Sequence, residues 1–317
     1  MTSVTVFDDA QANATVTKVS DGLRMLNESG CDSIIGLGGG SPQDAAKGIA
    51  LVKTNGGQMK DMEGADRASK PQFPMIAVST TAGTASEMTR FAVITDEVRR
   101  VKMVITTDMC TPLVAGGGDD AELMPKMPKA LTAATGMDAL THAVEAYVPV
   151  GVSLITDACA LQAMRLSKQH LARASHHGSD VVASKGMCYA ELLAGMAFNS
   201  AGLGYVHAMA QQMGAAYNLP HGVCNAILLP HVEEYNKAVV TRPPRSTRSA
   251  RCLRRWRFRR GSSRLSRRKR SCRALRMPRY WTCARCSIRA SAHATISSAC
   301  TATRCRSRTR VSRSSSP

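Results

Sequence analysis

Acidic residues run out before the sequence does. From Arg242 to Pro317 there are 23 arginines, one lysine and no aspartate or glutamate. A stretch carrying +24 cannot bury a core against its own repulsion, so residues 241–317 are expected as a disordered, Arg/Ser/Cys-rich basic tail. The remaining body holds 18 basic and 23 acidic residues, a net charge of −5. Also missing is a basic, apolar-cored N-terminus: "MTSVTVFDDAQ" is not a signal peptide. No run approaches the ~18 apolar residues that span a bilayer, so no membrane partner is expected. Paired cysteines are lacking as well. The body has five widely spaced ones, Cys31, Cys110, Cys159, Cys188 and Cys224, which suits reduced thiols in a soluble cytoplasmic protein.

What is present changes texture along the chain. Val16, Val19, Leu23 and Leu26 mark a helix over residues 16 to 30. Ser33 to Leu37 is an apolar run suited to a buried parallel strand. Gly38-Gly39-Gly40-Ser41 then forms a turn, and Pro42 stands where a helix wants its first residue. Strand, glycine turn and helix start together make an anion site, because unpaired N–H groups and the positive end of the helix dipole face an approach that glycine leaves open. A plain strand-to-helix turn reads nearly as well. "PMIAVST" is a second strand, running into the hydroxyl-rich loop "TAGTASEMTRF" at the sheet edge where α/β folds bind ligands. Two β-like runs follow, "FAVITDE" and "VKMVIT", the second carrying Lys102.

From Met124 to about Tyr235 the pattern is helical. The expected architecture is thus α/β plus all-α: a partial Rossmann-like parallel sheet domain (1–123), then a helical metal-binding domain (124–240), with a cleft between them. In "TGMDALTHAVEAY", Asp138 and His142 fall four apart, on one face of an otherwise apolar helix. Taken alone, that pair is more often a carboxylate fixing a core imidazole than half a metal site. His207 and His221 recur in apolar settings further on.

The segments "GGGSPQDAAKGIALV", "STTAGTASEMTRFAVITDE", "MPKALTAATGMDALTHAVEAY" and "GYVHAMAQQMGAAYNLPHGVCNAILLPHV" resemble the iron-containing (group III) alcohol dehydrogenases, in the bacterial ethanol and propanediol dehydrogenase branch, over residues 12 to 237. The resemblance implies a metal site of Asp138, His142, His207 and His221, holding iron(II) or else zinc. It implies a pyrophosphate turn at Gly38, Gly39, Gly40 and Ser41 with Asp44 behind it, and cofactor contacts from Thr80, Thr81, Thr84, Ser86 and Lys102. The cofactor is NAD or NADP, the substrate a primary or short-chain alcohol or its aldehyde, and the assembly a homodimer. Lys102 and Gln211 are the candidate catalytic residues. Gln211 stands where the family commonly has a further histidine, a group that could relay protons; glutamine cannot titrate.

Against the family, the sequence starts after a strand–helix–strand, which predicts an exposed sheet edge and apolar faces. After Val240 the composition break reads as a coding frame translated out of register. On that reading the alternative function is an inactive dehydrogenase product whose tail binds nucleic acid or other polyanions non-specifically. The zinc-ribbon-like spacing of Cys283, Cys286, Cys300 and Cys305 is cheap in so cysteine-rich a segment. Elsewhere the plain readings are that Glu87 and Arg90 pair across a turn, that Met187, Met196, Met209 and Met213 fill the core, that His231 is an ordinary helix-end residue, and that Asn199 lines the cleft or caps a helix.

Overall fold

The computed structural model describes residues 3–236 except 11, 117–122, 125–126, 150–151 and 218. The basic segment 241–317, with its expected disorder, polyanion binding and cysteine spacing, lies outside the described residues.

The first helix, α1 (Val16–Ser29), starts where the Thr15 hydroxyl accepts from the Lys18 amide and stops at Gly30, whose left-handed φ of 63° ends the turn. Strand β1 (Ile34–Gly38) feeds α2 (Gly40–Asn55), which begins two residues before Pro42. Strands β2 (Gly64–Ala65), β3 (Met75–Ser79), β4 (Phe91–Asp96), β5 (Val101–Thr106) and β6 (Val114–Gly116) follow. They form two three-stranded sheets. β1, β3 and β6 lie side by side and parallel, as a doubly wound half requires. The other sheet is mixed: β2 is parallel to β5, but β4 and β5 are an antiparallel pair, a pairing the sequence did not indicate.

One face of the β1–β3–β6 sheet is sealed by α2, against which Gly36, Met75 and Ala77 are buried. On the opposite face the registers line up Ile35, Ile76 and Val114 in a row across all three strands, and all three are exposed. Leu37 continues that face and is 60% exposed.

Five helices complete the described chain: α3 (Lys129–Tyr147), α4 (Leu154–His176), α5 (Val181–Ala201), α6 (Tyr205–Tyr217) and α7 (His221–Asn236). Ser153 and Thr156 form a reciprocal capping box that starts α4. Among the described residues α5 alone is long and apolar enough to cross a membrane by length and composition. It packs instead as a core helix against α3 and α4, burying Met187, Ala190 and Ala194. Met196 departs from the expected core role and is exposed. His231 is an exposed residue late in α7.

Candidate metal centre and nucleotide loop

Helix α3 is buried nearly all round, so its polar residues must find partners inside the protein. Asp138 finds three. The Nε2 atoms of His207, His221 and His142 lie 3.3, 3.6 and 3.8 Å from one oxygen, Asp138 Oδ1. Asp138, His142 and His207 form a compact buried group whose donor atoms are all within 4.8 Å of one another. His221, the first residue of α7, reaches the same carboxylate from the partly exposed rim. The four residues named from the sequence are therefore brought together from three helices.

The far sides of the rings are fixed too. His207 Nδ1 lies 2.6 Å from Glu145 Oε2, and Glu145 also accepts from the amides of Val206 and His207, at 2.7 and 3.2 Å. One buried carboxylate thus satisfies the open N–H groups at the start of α6 and turns the ligand-type ring. His142 Nδ1 lies 3.1 Å from the Gly83 carbonyl, and its ring stacks between Phe198 at 4.3 Å and His207 at 4.4 Å. Asn225 Nδ2 donates to Asp138 Oδ1 at 2.6 Å.

Three imidazoles around one carboxylate do not all take up the second proton that makes them cations. Burial favours the neutral ring and takes His142 down to about 3 and His221 down to about 4, against the pull of Asp138. For His207 burial is outweighed by hydrogen bonds to Asp138 and Glu145, which hold it at about 9. Burial likewise works against ionised Asp138, but the surrounding imidazoles keep it well below the usual carboxylate range. Two neutral nitrogens and one anionic oxygen thus stand ready, with His207 able to exchange its proton for a cation. The donor set fits a first-row divalent ion. Two buried oxygens beside it, Gln211 Oε1 one turn beyond His207 and Asn225 Oδ1, have no hydrogen-bond partner.

On the α/β side, no side chain caps the N-terminus of α2. A Cβ on Gly39 would lie 2.9 Å from the Thr81 side chain, and one on Gly40 would lie 2.7 Å from that of Thr84. Only glycine lets the turn and the hydroxyl loop approach this closely. The Thr80 amide donates to the Gly38 carbonyl at 3.0 Å, while the buried hydroxyls of Thr81 and Thr84 have no partner. Uncapped helix amides and orphaned hydroxyls beside a side-chain-free turn fit a phosphate group.

Sequence comparison matches residues 1–115 to the iron-containing alcohol dehydrogenase family and residues 132–275 to the C-terminal part of the Fe-containing alcohol dehydrogenase family. The chain belongs to the iron-containing alcohol dehydrogenase family. It is 54% identical over 244 residues to alcohol dehydrogenase 4 of Schizosaccharomyces pombe, covering 77% of this chain and 56% of that protein. It is 50% identical to 1,3-propanediol dehydrogenase of Klebsiella pneumoniae, covering 74% and 60%. The solved alcohol dehydrogenase from Oenococcus oeni superposes with a TM-score of 0.71 at 46% identity, over 73% of this chain and 60% of that one. The chain spans less than two thirds of the length of these relatives.

Other residues singled out by the family resemblance are placed less uniformly. Lys102 donates to Asn13 Oδ1 at 2.8 Å, and burial lowers its pKa despite the nearby Cys224, Asp44 and Asp138. Asn13, at a left-handed φ of 62°, also donates its amide to Ser41 Oγ. Asp44 and Ser86 are not turned to the open side of the glycine turn. The Ser86 hydroxyl donates to Asp44 Oδ1 at 2.7 Å, and Asp44 Oδ2 accepts the Val93 amide. One plain reading is corrected. Arg90 pairs with Asp108, while Glu87 is buried with both carboxyl oxygens unpartnered. The Asn199 Oδ1 accepts the Arg90 amide at 3.0 Å, a bond to the loop.

Sequence reasoning missed Glu145, Phe198, Asn225, Asn13 and Glu191. The signal available for Glu145 was its position, three residues after His142 and so close to the Asp138–His142 face of the helix.

Proposed function

We propose that this chain is the core of an NAD(P)-dependent, metal-activated alcohol dehydrogenase acting on primary or short-chain alcohols and their aldehydes. A single observation carries the reading: three imidazole nitrogens converge on one buried carboxylate oxygen, a short distance from a loop and glycine turn suited to a pyrophosphate. Asp138, His142, His207 and His221 would hold the ion, iron(II) on the family resemblance with zinc as the alternative. When bound, such an ion polarises an alcohol oxygen and the nicotinamide supplies the hydride acceptor. The chain's own residues do the rest. Glu145 and the Gly83 carbonyl each hold a proton on Nδ1 and so aim Nε2 of His207 and His142 inward. Gln211 offers a buried acceptor to a hydroxyl but cannot carry a proton onward. The α2 N-terminus, with Thr81 and Thr84, binds the pyrophosphate, and Lys102 lies between that turn and the metal ligands.

The division at residues 123/124 and 240/241 belongs to this reading, as does homodimerisation, supported by the family resemblance. A cytoplasmic setting is supported by five free thiols among the described residues. Non-specific nucleic-acid binding by residues 241–317 rests on their charge alone. The test is anaerobic reconstitution with iron(II), followed by NADH consumption in the presence of propionaldehyde. Turnover that requires the ion and vanishes in His142→Ala supports the reading. Protein that binds one ion per chain yet neither turns over nor binds a dinucleotide overturns it.

A further inference from the structure

The hydroxyl loop from Thr80 to Arg90 belongs by sequence to the α/β half, yet it hangs from the helical half. The carbonyl of Gly83 faces His142, and the Arg90 amide is held by Asn199 of α5. Between them, Ala85 is fully buried in a left-handed conformation, φ 51°, which an alanine adopts only when its surroundings impose it. The group that imposes it is Glu191. This glutamate is buried in the middle of α5, and its Oε1 accepts the Ala85 amide at 2.7 Å. One turn further along α5, Gly195 leaves the space that the loop fills: a Cβ there would lie 2.5 Å from Ala85 Cβ. Thr84, next to Ala85, packs on Gly40, and Thr81 packs on Gly39, both with hydroxyls that have no partner in the protein.

We propose that Glu191 is a positioning residue for the dinucleotide, holding Ala85 so that the Thr81 and Thr84 hydroxyls are presented at the glycine turn. The proposal rests on the dehydrogenase reading and adds to it a residue outside both the ligand set and the nucleotide contacts. Burial, reinforced by the neighbouring Glu87, pushes the Glu191 carboxyl well above its usual value. That shift favours the neutral acid, and Oε1 is the atom that accepts the Ala85 amide. Charge is not what the loop needs; an oxygen at that reach is.

This distinction sets the experiment. Glu191→Gln keeps an acceptor oxygen at the same distance, Glu191→Asp keeps the carboxyl but shortens it by one methylene, and Glu191→Ala removes it. The readouts, on the iron-loaded chain, are NADH dissociation constant by fluorescence titration, iron content, and hydrogen exchange of the peptide containing Ala85. Glu191→Gln is expected within about twofold of the parent. Glu191→Asp and Glu191→Ala are expected to bind NADH about tenfold or more weakly, with faster exchange at Ala85 and unchanged iron content. The KM for NADH rises more than kcat falls. Should Glu191→Ala fail to fold, the Gln and Asp pair decides alone. If Asp retains NADH affinity while Gln loses it, or if neither changes it, the proposal is overturned. A parent protein that binds no NADH sinks the dehydrogenase reading together with this proposal; normal parent binding with unaffected variants sinks this proposal alone.

Discussion

Glu145 makes three contacts with one carboxylate: two amides at the start of α6 and the Nδ1 of His207. Glu145→Gln preserves an acceptor but places an N–H donor where another must go, so one contact is lost. Metal affinity is expected to fall about 10- to 100-fold, as for other partners that orient a ligand ring; isothermal titration with iron(II) or zinc(II) measures it. A second residue reports on pH. Burial raises Glu233 from 4.5 to about 7, against a hydrogen bond from Asn236. The folded chain therefore holds a proton that the unfolded chain releases, and stability falls as pH rises from about 4.5 to 7. Glu233→Gln keeps the neutral shape and the acceptor. It should leave stability unchanged near pH 4 and raise it at pH 8 by about 1–3 kcal/mol, read from denaturation midpoints at the two pH values.

At the scale of elements, what the sequence disclosed depended on how much of each element faces water. Asp138 and His142 stood out because a four-residue spacing stacks them and the rest of α3 is apolar. Glu145 and Glu191 did not, because helices buried on all sides show no polar stripe from which an inward-facing glutamate departs. The glycine turn was legible since strand, Gly-Gly-Gly and helix follow in order; the partnership of Asp44 with Ser86 was not, since it joins residues 42 apart. The β4–β5 hairpin was missed as a topology because two apolar runs say nothing about direction. Helix crossings were equally silent. At Gly222, one residue after His221, an added Cβ would lie 1.9 Å from the Ala134 carbonyl oxygen. Gly222→Ala must push the first turn of α7 off α3. The expected cost is about 1–3 kcal/mol of stability. His221 should move with it, so that zinc or iron affinity falls at least tenfold by titration.

Across the whole molecule, the unprotected side of the β1–β3–β6 sheet is the feature that governs handling. Parallel sheets are ordinarily covered on both faces, and here Ile35, Leu37, Ile76 and Val114 form a contiguous exposed apolar surface. Such a surface drives self-association. The double substitution Ile35→Thr and Leu37→Thr puts β-branched residues, suited to a strand, at both positions and adds hydroxyls to the outer face. It is expected to lower dye binding and light scattering severalfold while shifting stability by no more than about 0.5 kcal/mol per site. If scattering is unchanged, that face is not what makes the molecules adhere.

His142 serves two masters: one ring nitrogen faces Asp138, and the other faces the backbone of the loop that meets the phosphate turn. On the dehydrogenase reading, occupants of both half-sites bear on this one imidazole. Thermodynamic reciprocity then fixes the bargain: by whatever factor an ion changes nucleotide affinity, the nucleotide changes ion affinity by the same factor.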